Sequence, residues 1–329
     1  MSIVVDVNNL GKRFQLKQKG EGLWGSVRSL WRPDVREVTA VQGISFALEE
    51  GEMLAFIGPN GAGKSTTIKM LTGILFPSEG EAEVLGLTPW RQRRQLAYQI
   101  GSVFGQKPQL WYHLPAADTF RLFARIYELD ERAYQQRLGF LVDTFQLEPL
   151  LHIPVRKLSL GQRMKCEIAA SLLHRPRIIF LDEPTIGLDV VAKHQIREAI
   201  KFMNETDRTT IFLTSHDAGD IEKLCRRVII INYGQLIFDD RTTVLKRDYW
   251  RQKQIDVRFA EPLATPFALS GVTILKQGDY GVKLAFDTQE IAVETVVQQL
   301  MARGACEDIN ISDPPLEEII SDIYTAAQG

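Results

Sequence analysis

The segment spanning residues 58–66 constrains the fold of this chain more than any other feature of its sequence. It reads GPNGAGKST, which matches the pattern G-x-x-x-x-G-K-[ST], and it follows a short apolar run, residues 53–57, that we expect to be a buried strand. Glycines let a backbone curl so that successive N–H groups point at anionic oxygens, and the N-terminus of a following helix adds partial positive charge. The segment therefore predicts a cradle for phosphate groups between a strand and a helix.

Residues of this loop have distinct expected roles. The ammonium of Lys64 would contact the β- and γ-phosphates of a nucleotide, and the hydroxyl of Ser65 would bind Mg²⁺. A chance glycine-rich turn is the alternative, and the strand before the loop and the helix after it weigh against that alternative. The residues expected to bind the nucleotide here are Gly58, Pro59, Asn60, Gly61, Ala62, Gly63, Lys64, Ser65 and Thr66.

A second apolar run, residues 178–184, ends in two carboxylates. Asp182 stands at the tip of the predicted strand, where it suits the oxygen shell of a magnesium ion. Glu183, one residue on, can face an attacking water molecule as a general base. Two acids at the end of a strand are common in isolation, so the interpretation of this pair depends on the motifs that accompany it. Just upstream, residues 158–163 read LSLGQR and open an apolar-faced helix.

The order and spacing of these segments resemble the ATP-binding cassette of ABC transporters, over roughly residues 1–240. The resemblance implies that ATP and Mg²⁺ are bound, and that two cassettes pair head to tail. Each ATP would then lie between Lys64 of one copy and Ser159 of the other. The signature residues implied in this way are Ser159, Gly161 and Gln162, although Leu160 replaces the first of the two glycines that are commonest in the family.

The same resemblance assigns the other site residues one at a time. It implies that Gln106 contacts Mg²⁺ and the attacking water, and that His216 contacts the γ-phosphate. Asp189 belongs to the loop that communicates across the dimer. Phe14 is the best match to the aromatic residue that stacks on adenine, although the segment that follows it could be rerouted by an insertion.

The insertion, residues 15–38, interleaves basic residues with tryptophans, and two interpretations stay open. Such a segment suits the interface of an anionic membrane, because positive charge is attracted to lipid headgroups. It also suits a solvated hairpin whose charges face water.

Alternating buried strands and helices predict an α/β fold with a mostly parallel sheet. In the terms of the family, this is a P-loop ATPase core with an antiparallel β subdomain and a helical subdomain at about residues 107–170. We expect the core to span residues 1–245 and a small C-terminal α+β domain to span residues 246–329. The C-terminal domain carries no chemical motif.

Composition excludes several classes of protein. The formal net charge of −2 is not that of a strongly basic nucleic-acid binder, so no nucleic acid is expected. No apolar run reaches the roughly 18 to 20 residues of a membrane helix, and the first residues are not those of a signal peptide. A reducing, cytoplasmic setting fits three isolated cysteines, Cys166, Cys225 and Cys306.

These features together predict an ATP-hydrolysing subunit of an ABC transporter. It would act at the cytoplasmic side of the inner membrane, through separate permease subunits and a second copy of itself or a related ATPase. Export is favoured over import because LSLGQR and the C-terminal appendage resemble exporters of drugs, lipids and polysaccharides. The alternative is a soluble ABC ATPase outside transport, of the cofactor-assembly or scaffold type.

Overall fold

The computed structural model describes residues 2–18, 34–105, 107–249, 252–263, 268–314, 318–320 and 323. The chain forms two compact units, Met1–Asp240 and Arg241–Gly329. Within the first unit the elements follow in this order: β1 (Ile3–Gln18), β2 (Asp34–Glu49), β3 (Met53–Ile57), α1 (Lys64–Leu71), β4 (Glu79–Val84), α2 (Arg93–Ala97), β5 (Ile100–Phe104), α3 (Ala116–Ile126), α4 (Glu131–Phe145), α5 (Leu160–Leu172), β6 (Ile178–Asp182), α6 (Val190–Asp207), β7 (Thr210–Thr214), α7 (Ala218–Leu224), β8 (Arg227–Asn232) and β9 (Gln235–Arg241).

A six-stranded sheet with the strand order β5-β6-β7-β3-β8-β9 forms the centre of this unit. The pairings β5–β6, β6–β7, β7–β3 and β3–β8 are parallel. Strands β3, β6, β7 and β8 are buried over most of their length, which explains their almost continuous apolar sequences. The structure confirms the predicted α/β class with a mostly parallel central sheet.

A second, antiparallel sheet with the order β2-β1-β4 packs on the central one. Four phenylalanine rings mark the contact, with centroids 5.2 to 6.1 Å apart: Phe46 from β2, Phe56 from β3, Phe180 from β6 and Phe212 from β7. The second sheet therefore covers the apolar face of the strands that lead into the phosphate loop.

Strands β1 and β2 extend into the predicted insertion, residues 15–38. Their backbones pair as far as Gln18 and Asp34, so both ends of the predicted insertion belong to a continuous antiparallel hairpin. A strand can extend in this way because each backbone satisfies the other's hydrogen bonds, whatever side chains it carries. Residues 19–33, which hold the tryptophans and most of the arginines, lie outside the described residues.

Within the predicted helical subdomain, the chain forms two successive helices, α3 and α4, with a break between them. The break has a local cause: Glu128 adopts a left-handed φ of 55°, and the carboxylate of Asp130 accepts a hydrogen bond from the N–H of Ala133, which caps α4. The apolar face of α3 is buried at Ala116, Phe120 and Ala124.

The second unit contains α8 (Thr242–Tyr249), β10 (Gln252–Phe259), β11 (Val272–Gly278), β12 (Gly281–Asp287), α9 (Val293–Met301) and β13 (Cys306–Ser312). Its strands form an antiparallel sheet in the order β11-β12-β10-β13. Alternate residues of β10 and β12 build the core together with Val296 and Leu300 of α9. Strand β11 escapes prediction because most of its side chains are exposed, so its sequence lacks alternation. Near the end of this unit, residues 318–320 and 323 are described, and all four are helical.

In the part of the chain that the structure describes, we find no helix with both the length and the apolar character needed to cross a bilayer.

Phe212 offers a test of the packing between the two sheets. Its side chain is fully buried among three other rings, so Phe212→Ala leaves a cavity and should lower the free energy of unfolding by about 3–5 kcal/mol. The matched control is Phe76→Ala, because Phe76 is 62% exposed and its truncation should change stability by no more than about 0.5 kcal/mol. Urea unfolding followed by circular dichroism measures both changes, and equal losses would contradict this account of the core.

Candidate nucleotide site

The loop between β3 and α1 is held by its neighbours at two glycines. Gly63, the residue preceding α1, has a φ of 111°, and a Cβ there would lie 2.5 Å from the carbonyl oxygen of Ala40. A Cβ on Gly58 would lie 2.2 Å from the carbonyl oxygen of Ile231 at the end of β8. Among the described residues, no side chain caps the N-terminus of α1. Its N–H groups are therefore left for an anion, as in other phosphate-binding helices.

Lys64 is the first residue of α1, and its side chain is 5% exposed. Its ammonium donates hydrogen bonds to the carbonyl oxygens of Gly58 at 2.6 Å and Pro59 at 3.3 Å, so it closes the loop on itself. Burial lowers the pKa of this ammonium from its usual range, and the nearby carboxylates of Glu183 and Asp182 oppose the shift.

The carboxylates reach this lysine from the end of β6. The Oε1 atom of Glu183 lies 3.8 Å from the Nζ of Lys64 and 2.9 Å from the Nε2 of His216, which follows β7. The same Nε2 lies 3.1 Å from the lysine Nζ. One imidazole nitrogen either donates to the carboxylate or accepts from the ammonium, and its tautomer decides which. Lysine, glutamate and histidine thus meet at one point.

Thr214, the last residue of β7, connects the carboxylate of Asp182 to the backbone of Glu183, and the sequence prediction missed it. Its hydroxyl donates to the Oδ1 of Asp182 at 2.6 Å and accepts from the backbone N–H of Glu183 at 3.1 Å. The backbone N–H of Glu183 also lies 3.0 Å from the carbonyl oxygen of Thr214. These bonds hold Glu183 in a left-handed conformation with a φ of 55°, which is strained for a residue with a side chain.

An open cleft of roughly 320 Å³ adjoins this cluster through Lys64, Asp182 and Glu183, whereas His216 is not among the described residues that line it. It is lined by the phosphate loop from Pro59 to Thr66 together with Ala40, Lys69, Phe104, Gly105, Lys107, Asp182 and Glu183. Gln106 lies outside the described residues, although both of its neighbours line the cleft. The structure therefore brings the predicted loop, Asp182 and Glu183 to one cavity.

Phe14 is not one of the described residues that line this cleft. It lies half-buried on β1, its backbone pairs with Val38, and the ammonium of Lys12 lies 5.2 Å above its ring. A role for Phe14 in stacking on adenine stays a prediction.

The signature residues lie at the start of α5, and they too are absent from the described lining of the cleft. The hydroxyl of Ser159 accepts from the N–H of Gln162 at 3.2 Å, and the amide oxygen of Gln162 accepts from the N–H of Ser159 at 2.9 Å. This reciprocal pair is a capping box, and both side chains are exposed.

Asp189 belongs with the signature residues and not with the cleft. Its carboxylate accepts from the N–H of Ala192 at 2.8 Å and so caps α6. A Cβ on Gly161 would lie 2.7 Å from the Cβ of Ala192, so α5 and α6 begin side by side. One chain therefore carries two separate groups of predicted site residues, one in the cleft and one on an exposed surface.

The donor atoms in the cleft fit a magnesium ion. Ser65 and Asp182 both line it, and a hydroxyl and a carboxylate are the oxygen ligands that Mg²⁺ prefers. The described residues contain no group of three or more histidines, cysteines or acids that could hold a metal alone. Mg²⁺ usually takes one or two protein oxygens and completes its shell with water and phosphate oxygens, so this small set suffices.

The fold and the cleft define a P-loop nucleoside triphosphatase. A model of the family described as ABC transporter matches residues 41–186. The linearmycin resistance ATP-binding protein LnrL of Bacillus subtilis (strain 168) is 30% identical over 293 residues, which are 85% of this chain and 92% of that protein. The Nod factor export ATP-binding protein I of Neorhizobium galegae is 35% identical over 202 residues, which are 61% of this chain and 58% of that protein.

Solved structures share the fold. One described as cbiO1 from Clostridium perfringens, part of the ABC transporter complex cbiONQ, is 25% identical and has a TM-score of 0.61. The match covers 76% of this chain and 96% of that one. This chain belongs to the ATP-binding proteins of ABC transporters, and it is a subunit that binds and hydrolyses ATP. The alternative of an ABC ATPase outside transport is not favoured.

The role of Thr214 can be tested by Thr214→Val, which keeps the shape of the side chain and removes its hydroxyl. Asp182 then loses the hydrogen bond from the hydroxyl, and the N–H of Glu183 keeps only its bond to the carbonyl oxygen of residue 214, so kcat for ATP hydrolysis should fall about tenfold. Thr144→Val is the matched control, because the Thr144 hydroxyl only donates to the carbonyl oxygen of Phe140 within α4. Steady-state phosphate release measures both variants, and a kcat of Thr214→Val equal to that of the control would refute the role.

Proposed function

We propose that this chain powers an exporter by ATP-driven pairing of two copies, each coupled to a separate membrane permease. The observation that carries the proposal is the division of the site residues into two groups on one chain. The cleft holds Lys64 and Glu183, whereas Ser159 and Gln162 are exposed outside its described lining. Two copies placed head to tail would bring the exposed group of each against the cleft of the other.

The chemistry in the cleft is the transfer of the γ-phosphoryl group of ATP to water. Lys64 and the N–H groups of the loop would hold the β- and γ-phosphates, while Glu183 would accept a proton from the attacking water. His216, whose Nε2 lies beside Glu183, would contact the γ-phosphate. Mg²⁺, held by Ser65 and Asp182 and by the predicted ligand Gln106, would neutralise charge on the phosphates when bound.

The surface near the signature residues supports pairing. Four apolar side chains around the starts of α5 and α6 are exposed to solvent by 39% to 83%: Leu160, Ile186, Val190 and Val191. Exposed apolar side chains that lie close together are typical of surfaces that another protein covers. A second copy of this chain, or a related ATPase, is the partner that the exposed signature residues fit.

A different surface supports docking of a permease. Trp111 and Tyr112, which lie a few residues after Gln106, are exposed by 50% and 51%. Aromatic residues are enriched in the cores of protein interfaces, because they bury a large area at a small cost in conformational entropy. The relative cbiO1 is described as part of a transporter complex, which fits a subunit that works with other chains. We therefore place this subunit peripherally, at the cytoplasmic side of the membrane.

Export is supported by the relatives and by the second unit. Of the two relatives, one is named for Nod factor export and the other for linearmycin resistance. The match to LnrL covers 85% of the chain, which is more than the first unit contains, so that relative shares part of the second unit as well. The two relatives are named for different compounds, so we assign export without a substrate.

Glu183→Gln tests the proposed base and the proposed dimer together. The amide cannot accept the proton, so turnover should fall by roughly two to four orders of magnitude while ATP still binds. ATP would then persist at the interface, and the variant should elute as a dimer in the presence of ATP and Mg²⁺. Single-turnover hydrolysis and size-exclusion chromatography measure the two effects.

Two controls separate binding from chemistry. Glu198→Gln, on the exposed face of α6, should hydrolyse ATP at the unmodified rate. Lys64→Ala should weaken nucleotide binding itself and give no dimer with ATP. If Glu183→Gln hydrolyses ATP as fast as Glu198→Gln, then Glu183 is not the base.

A further inference from the structure

A buried ion cluster joins the loop that carries His216 to helix α6. The guanidinium of Arg197, on α6, is the centre of this cluster, and the residue is 8% exposed. Its Nε donates to the Oδ1 of Asp220 at 2.6 Å, and its Nη2 donates to the Oδ1 of Asp217 at 2.9 Å. Lys193, one turn earlier on α6, donates to the other oxygen of Asp217. Helix α6 is thus bound both to Asp217, in the loop that carries His216 (residues 215–217, the histidine loop), and to Asp220 on α7.

Asp220 also contacts the residues next to His216 and Glu183 in the sequence. Asp220 is fully buried, and its Oδ2 accepts from the hydroxyl of Ser215 at 2.6 Å and from the hydroxyl of Thr185. The hydroxyl of Ser215 also accepts from the N–H of Asp217 at 3.0 Å. Ser215 immediately precedes His216, and Thr185 lies two residues after Glu183. One carboxylate therefore contacts the segments that present the histidine and the glutamate.

Stability alone is a weak explanation for this arrangement. Burying charged groups costs free energy, and apolar residues of similar volume often serve a core as well. What the hydrogen bonds supply in addition is a fixed direction, because charge-assisted bonds from a planar guanidinium add geometric specificity. A Cβ on Gly219 would lie 2.9 Å from Asp217 and 3.1 Å from Arg197, so the packing leaves little freedom for another arrangement.

We propose that Arg197 is a positioning residue. It holds His216 beside Glu183 and Lys64, and it couples the position of His216 to that of helix α6. Because Asp189 caps the start of α6, a partner that contacts residues 187–189 would move the helix to which His216 is coupled. Contact of the second copy with residues 187–189 of a chain would thereby change the position of His216 beside the cleft of that same chain. This inference rests on the proposed roles of Glu183 and His216.

The experiment compares three variants of the full chain in ATP hydrolysis and in ATP binding. Arg197→Met removes the clamp, so kcat should fall about tenfold while the dissociation constant for ATP stays within about twofold. Arg197→Lys keeps the charge and loses the bidentate geometry, so its kcat should lie between those of the wild type and Arg197→Met. Arg137→Met is the matched control, because Arg137 is 2% exposed and pairs with Asp207 away from the histidine loop.

Two results would overturn the proposal. One is a wild-type kcat in Arg197→Met, and the other is an equal loss of kcat in Arg197→Met and Arg137→Met. If Arg197→Met does not fold, as judged by thermal unfolding, Arg197→Lys and Lys193→Met decide, and a wild-type kcat in both overturns it. Glu183→Gln in the same assay separates the two hypotheses, because only a failure of the proposed base would leave that variant active.

Discussion

The structure of the site depends on the burial of one ammonium group, that of Lys64. A charge removed from water is costly unless hydrogen bonds and opposite charge replace its hydration. Here the carbonyl oxygens of Gly58 and Pro59 accept hydrogen bonds from it, and Glu183 supplies negative charge 3.8 Å away. The loop can make those bonds only when it is curled around the lysine, so the group predicted to bind phosphate also fixes the shape of the loop around it.

The parallel sheet explains why distant parts of the sequence meet at this lysine. The carboxyl ends of parallel strands lie at one edge of a sheet, and ligands of such sheets bind outside that edge. Strands β6, β7 and β3 are neighbours, so Asp182, Thr214 and the phosphate loop follow their ends side by side. The adjacent signature and Asp189 segments lie instead at the starts of helices α5 and α6. This separation leaves one chain with two groups of predicted site residues, as the proposed pairing of two copies requires.

How much could be predicted differs from residue to residue. Lys64, Asp182 and Glu183 belong to short local patterns, and strand ends fix where such patterns lie, so the sequence predicted that they would share a site. Thr214 was missed because its role depends on the neighbouring strand β6. Arg197 was missed because a charged residue on an amphipathic helix looks solvated until the helix α7 packs against it. The length of β1 and β2 was underestimated because backbone pairing extends a strand without an apolar pattern.

A mixing experiment tests most directly whether ATP is enclosed by two copies. Lys64→Ala removes nucleotide binding from the cleft of one chain. Ser159→Asp, in the other chain, places a negative charge among the signature residues while keeping a good helix cap. Each variant alone should be inactive. In a 1:1 mixture, the mixed dimer has one intact site, so about one quarter of wild-type activity should return. A mixture as inactive as its components, although the mixed dimer forms, would show that each ATP site lies within one chain.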